Sequence, residues 1–224
     1  MKKWSFLVLL LLGSCGPDPI PDPEAVNLIA PVNLNSCTTA SRVNDSESQV
    51  DFQWTAALNA DNYELFVQNM LTQERFDTST ALQKSSLILP SGAPYVWYVR
   101  SKSTLTPNTT DSVKWQFYLE GTTVATHFPF PAILKSPEDE SEISLSAQGT
   151  FVFEWEGNDL DNDIVSYDLY LSTDPDQLTL MKKEISTSQT PLDLNPNTLY
   201  YWQVLTRDQK QNQSFSEIFS FQTE

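Results

Sequence analysis

The chain is short of cysteine, histidine, glycine and positive charge, and each shortage removes a class of function. Two cysteines in 224 residues cannot supply a disulfide framework or a four-cysteine metal site. His127 is the single histidine, so no His-x-x-x-His metal pair exists, and Cys37 has no histidine near it in sequence to make it a nucleophile. Six glycines leave no phosphate-cradling loop, and no Gly-x-Ser-x-Gly elbow is present. With the catalytic templates missing, the chain is expected not to be an enzyme. Lys and Arg number 13 against 29 Asp and Glu, a formal charge of −16, which disfavours nucleic acid and anionic lipid headgroups as partners. The N-terminal apolar run, Phe6 to Leu12, is far below the roughly 20 residues a membrane-spanning helix needs.

That run has another reading. It follows Met1-Lys2-Lys3-Trp4 and leads into Leu12-Gly13-Ser14-Cys15-Gly16, the charged, apolar and small-residue order of a secretory signal peptide. The Leu-Gly-Ser-Cys ending resembles the lipobox of bacterial lipoproteins, in which the cysteine is acylated and becomes the new N-terminus. The resemblance implies a signal peptide over residues 1–14 and lipidation at Cys15, with a membrane as partner. At about 0.8 kcal/mol per buried CH₂, two or three acyl chains hold a protein to a bilayer. Gly16 follows the cysteine where the retention rule of that family asks for Asp, so outer-membrane delivery is expected, in the periplasm or at the surface. Loss of Lys2 and Lys3 would take the charge from −16 to −18.

Proline recurs at every second position in Pro17-Asp18-Pro19-Ile20-Pro21-Asp22-Pro23. Such segments favour extended polyproline II and act as semi-rigid spacers, so residues 15–26 are expected to form a tether.

The rest of the chain repeats. Phe52-Gln53-Trp54 matches Phe153-Glu154-Trp155, Tyr63-Glu64-Leu65-Phe66-Val67 matches Tyr167-Asp168-Leu169-Tyr170-Leu171, and Tyr95-Val96-Trp97-Tyr98-Val99 matches Tyr200-Tyr201-Trp202-Gln203-Val204. Partners stand 101 residues apart for Trp54 and Trp155, 104 for Tyr63 and Tyr167, and 105 for Trp97 and Trp202. The matched segments alternate apolar and polar residues with period two and are rich in Val, Tyr, Phe and Trp, which marks half-buried strands. The expected fold is all-β, two tandem sandwiches at 27–120 and 132–224 joined by a linker at 121–131. Phe128 and Phe130 in that linker either pack between the sandwiches or begin the first strand of the second.

Leu194-Asn195-Pro196-Asn197-Thr198-Leu199-Tyr200-Tyr201-Trp202-Gln203-Val204 resembles the Leu-x-Pro-x-Thr-x-Tyr run of fibronectin type III domains. The resemblance implies that Trp155 is buried on the second strand and that Tyr200 returns its hydroxyl to upstream backbone as a tyrosine corner. The first copy keeps the leucine, turn and tyrosine in Leu89-Pro90-Ser91-Gly92-Ala93-Pro94-Tyr95. Such immunoglobulin-like modules bind, space and scaffold, and bring no catalytic residues with them.

Candidate sites are few. Between Trp155 and Tyr167 the second copy carries three more residues than the first has between Trp54 and Tyr63, and the insertion is acidic. Asp159, Asp161 and Asp163 place carboxylates at alternate positions, a donor set suited to structural calcium. The EF-hand template fails because Ile164 stands where Gly is needed and Tyr170 where Glu is needed. The competing reading is a solvated Asn/Asp turn. No other cofactor is expected. Asp111-Ser112-Val113 resembles a bacterial O-glycosylation acceptor centred on Ser112. Cys37 reads as a buried structural thiol. Tyr98, Tyr118, Tyr201 and Phe76 fall outside the repeated core set and are the rings left for stacking a sugar. Two partners therefore stay open: an envelope protein that the sandwiches bind or space, or a glycan captured for a polysaccharide-utilisation system.

Overall fold

A computed structural model describes residues 20–121 and 127–224. Its regular structure is all strand. The first module contains β1 (Leu28–Ala30), β2 (Asn35–Ser36), β3 (Ala40–Arg42), β4 (Glu47–Trp54), β5 (Asn62–Asn69), β6 (Arg75–Thr80), β7 (Lys84–Pro90), β8 (Ala93–Lys102), β9 (Thr109–Asp111) and β10 (Trp115–Leu119). β4 pairs with β1, β3 and β7 in one sheet; the other runs β2-β10-β8-β5-β6, with β9 also on β8. The second module repeats the plan with β11 (Ile133–Ser136), β12 (Ser141–Ile143), β13 (Thr150–Glu156), β14 (Ile164–Ser172), β15 (Thr179–Ile185), β16 (Gln189–Asp193), β17 (Leu199–Asp208), β18 (Gln213–Phe215) and β19 (Phe219–Thr223). Its sheets are β11-β13-β16 and β12-β19-β17-β14-β15, with β18 on β17. These are two tandem fibronectin-III-like sandwiches.

Each module opens in the same way. β1 and β11 lie in the smaller sheet, the chain then passes Pro31 or Pro137, and β2 and β12 join the larger sheet parallel to its last strand. Proline has no N–H to give a ladder, so it falls where the chain leaves one sheet for the other.

The alternation read from the sequence becomes burial along each strand. In β5 every second residue from Tyr63 to Asn69 is buried, and β13 buries Phe153 and Trp155. The two cores match ring by ring. Phe52 stands edge-on to Trp97 at 5.1 Å and 64°, and Phe153 to Trp202 at 5.0 Å and 70°. Tyr95 stacks on Phe117 at 5.4 Å, and Tyr200 on Phe221 at 5.6 Å. Trp54 and Trp155 meet Tyr63 and Tyr167 in the same edge geometry. Each such pair adds about 0.5–1.5 kcal/mol beyond its area burial.

The tyrosine corner is present twice. Tyr95 donates its hydroxyl to Pro90 O at 2.6 Å, while the Tyr200 hydroxyl accepts from Asn195 N–H at 3.1 Å. An outer-face charge pair also recurs: Lys102 with Glu64 in the first module, Arg207 with the buried Asp168 in the second.

Two boundaries shift. The expected tether ends earlier than residue 26, because Asn59 Nδ2 donates to Asp22 O, Asn108 Nδ2 to Asp22 Oδ1, and Glu24 N to Leu58 O. Pro23 and Val26 are buried, so residues 22–26 lie on the first sandwich. The linker behaves likewise. Phe130 is 1% exposed and its N–H donates to Asn158 O, so it is part of the second module just before β11.

Candidate metal centre at the module junction

Three segments meet where the second module faces the first: the loop between β13 and β14, the hairpin between β17 and β18, and the linker from His127. The β13–β14 loop leaves the core at Trp155 and passes Gly157, where a Cβ would run into the Tyr167 ring and hydroxyl. Only glycine lets the backbone cross that ring. Asn158 O then takes the Phe130 N–H, Asp159 Oδ1 takes the Asp161 N–H at 2.6 Å, and Asp163 O takes the Gln209 N–H at 3.0 Å. The loop is thereby bonded to the linker on one side and to the hairpin on the other.

At the end of β17, Asp208 is wholly buried. Its carboxylate accepts from Asn212 N at 2.8 Å and from Asn212 Nδ2 at 2.7 Å, which fixes its direction. One carboxylate oxygen from each of Asp159, Asp163 and Asp208 lies within 4.8 Å of the others. Asp159 Oδ2 and Asp163 Oδ1 are shut off from solvent and receive no hydrogen bond. Burial pushes the Asp159 carboxyl above the ordinary carboxylate range; the Asp161 N–H opposes this, and the charges of Asp163, Asp161 and Asp208 add to it.

The expected triad is therefore split. Asp159 and Asp163 converge, but Asp161 turns outward: its Oδ2 accepts the His127 N–H and its Oδ1 meets His127 Nδ1, both at 2.8 Å. The Asx turn at Asp159 sends the middle carboxylate to the other side of the loop. Asp208 takes its place from 47 residues along the chain, and only the fold brings it there.

His127 is the centre of a second network. Its Nε2 lies 3.3 Å from both Glu120 oxygens, and its ring stands edge-on to Tyr118 at 4.8 Å. Burial alone would lower its pKa, but the bond to Asp161 and the charges of Glu120 and Asp161 outweigh it and hold the pKa above the usual 6.5. The same contacts hold Asp161 below its ordinary range, the His127 N–H leading. Glu120, His127 and Asp161 thus run from the first module through the linker to the second. On another side of the junction Lys114 meets Glu217 at 2.6 Å, and Gln116 Nε2 donates to Pro131 O.

The remaining candidates fall as follows. Cys15 and the residues before it lie outside the described residues. Ser112 is not displayed for glycosylation: it is buried, accepts the Val99 N–H at 3.1 Å and donates to Val113 O at 2.8 Å. Cys37 is half-buried against the first core, with Sγ 3.6 Å from Thr39 Oγ1, and burial raises its pKa. Tyr118, expected as a free ring, is 2% exposed and donates its hydroxyl to Gly92 O. Tyr98 stacks on Phe66 at 4.9 Å, with Arg100 over Phe66 and Lys114 over Tyr98. A groove of about 380 Å³ beside this stack is lined by Phe66, Phe76, Tyr98, Lys114 and Glu217.

No family model matches the chain, and no curated protein matches it. Among solved structures, the chain is similar to the fibronectin(III)-like modules of Clostridium thermocellum CbhA, at 11% identity and a TM-score of 0.33 over 88% of this chain and 92% of that one. It is also similar to a β-1,2-glucanase from Parabacteroides distasonis, at 11% identity and a TM-score of 0.34 over 79% of this chain. That match spans 30% of the glucanase.

Proposed function

We propose that this chain is a non-catalytic, lipid-anchored cell-envelope protein whose two β-sandwiches bind or space a protein partner, at the cell surface or in the periplasm. The observation that carries the reading is the braced junction. Lys114–Glu217, Gln116–Pro131 and Glu120–His127–Asp161 tie the modules at several points. A presenter gains from such bracing, because a surface held in one orientation loses less freedom on binding. Catalysis is left out because the sequence carries no nucleophile–base pair or phosphate loop. The anchor rests on Leu12-Gly13-Ser14-Cys15.

Glycan capture is the weaker reading. Tyr118 is buried, and Phe66 and Tyr98 spend one face on each other with Arg100 and Lys114 over the rings, so that stack leaves a sugar no open face.

Fractionation and in-cell crosslinking test the proposal together. The intact chain should sediment with membranes and give a discrete protein adduct, and Cys15→Ala should move it to the soluble fraction. A Cys15→Ala chain that stays with the membranes overturns the anchor. Retention on a polysaccharide column without any protein adduct overturns the partner.

A further inference from the structure

We propose that Asp159, Asp163 and Asp208 bind one calcium ion, which locks the β13–β14 loop to the β17–β18 hairpin at the face the second module turns toward the first. The inference stands apart from the anchor and from any partner.

Three carboxylates within 4.8 Å repel one another, and in a poorly solvated corner the repulsion is far stronger than in water. A fold can meet that cost with hydrogen-bond donors, with a cation side chain or with a bound ion. Donors are only partly supplied: Asn212 serves Asp208, while Asp159 Oδ2 and Asp163 Oδ1 are enclosed and receive none. Among the described residues no Lys, Arg or His pairs with any of the three: the ion pairs of this module go elsewhere, Arg207 to Asp168, Lys135 to Glu156, Lys183 to Glu184, and His127 to Asp161.

The first module provides an internal comparison. At its corresponding corner the carboxylate is Asp61, and its Oδ2 accepts from both Thr104 N at 2.9 Å and Thr104 Oγ1. The β8 pairing ends at Lys102 and is followed by Ser103, 105 residues before Asp208, which in the second module is still paired with Ile164. The shorter loop is thus self-sufficient, whereas the longer one gathers three carboxylates and leaves two of their enclosed oxygens unbonded.

The donor set selects the ion. Carboxylate oxygens without histidine or thiolate suit a hard cation. Calcium takes six to eight oxygens at about 2.3–2.6 Å in flexible geometry and so accepts an irregular set drawn from a loop and a strand end, while magnesium at about 2.1 Å demands a near-ideal octahedron. The remaining calcium ligands would be water and backbone carbonyls of the same loop.

The test uses the intact chain in detergent, stripped with chelator and titrated calorimetrically with CaCl₂ alone, alongside melting curves in CaCl₂ and in chelator. The expected result is one calcium per chain and a higher melting temperature. Asp163→Asn should weaken binding at least tenfold. In chelator the same variant should melt at or above the wild type, because a repelling charge is gone, and in calcium it should melt below it. Asp161→Asn should bind calcium within a few-fold of wild type. Asp163→Asn is chosen beside Asp208→Asn because Asp208 is buried and its variant could fail to fold. No calcium uptake by the wild type overturns the inference, and so does undiminished uptake by Asp163→Asn. Loss of binding in Asp161→Asn overturns the ligand set.

Discussion

Ser112 and Ser216 do the same work in the two sandwiches: each hydroxyl accepts a strand N–H, from Val99 at 3.1 Å and from Val204 at 3.0 Å, and donates to the next carbonyl, of Val113 or Glu217. The pair closes the gap where the chain leaves one partner of the β8 or β17 strand and rejoins it further along. A hydroxyl so used is structural in both copies.

Removal of either hydroxyl should leave a buried N–H without its partner. Ser112→Ala and Ser216→Ala should each cost about 1–2 kcal/mol in chemical denaturation, with no change in the urea dependence of unfolding. Mass spectrometry of the native protein should find Ser112 unmodified. A glycosylated Ser112 would contradict its burial.

Gly157 is the tightest point of the candidate metal loop. Gly157→Ala should cost about 1–3 kcal/mol, because the added methyl meets the Tyr167 ring and hydroxyl at contact distances that cannot be kept. A loss near zero would contradict the placement of Tyr167.

The two tyrosine corners differ in strength. Tyr95 both donates to Pro90 O and accepts from Asn69 Nδ2, whereas Tyr200 accepts from Asn195 N alone. Tyr95→Phe should therefore destabilise more than Tyr200→Phe, by about 1 kcal/mol.

His127 makes the junction pH-dependent in one direction. Its folded pKa lies above the unfolded value of about 6.5. Protonated imidazole between Asp161 and Glu120 therefore stabilises fully below about 6.5, down to where the carboxylates themselves take up protons, and the benefit fades as pH rises through the folded value. In chelator, the melting difference between wild type and His127→Gln should be larger near pH 6 than near pH 8.5. A difference that grows toward high pH would reverse the sign.

What the sequence disclosed and what it hid divide along physical lines. Strand alternation and the 101–105-residue repeat are local or periodic, and the paired cores with Trp97 and Trp202 at their centres follow from them. The repeat also contained a clue to Ser112, since Ser216 stands 104 residues on in a context without the acceptor motif. The metal corner was only half legible. An acidic insertion is visible as a string, but which carboxylates converge depends on the turn at Asp159, and Asp208 arrives through strand pairing across the larger sheet. The docking of residues 22–26 was hidden for the same reason, because Asn59 and Asn108 reach Asp22 from distant loops.

The most direct test of two modules joined as one braced body is a distance between them. Nitroxides at the exposed Leu82 and Met181, in a Cys37→Ser background, would report it by pulsed electron resonance. One narrow distribution is expected in calcium, broadened when Lys114→Ala and His127→Ala remove the braces. A broad distribution in the unaltered junction, unchanged by those substitutions, would contradict it.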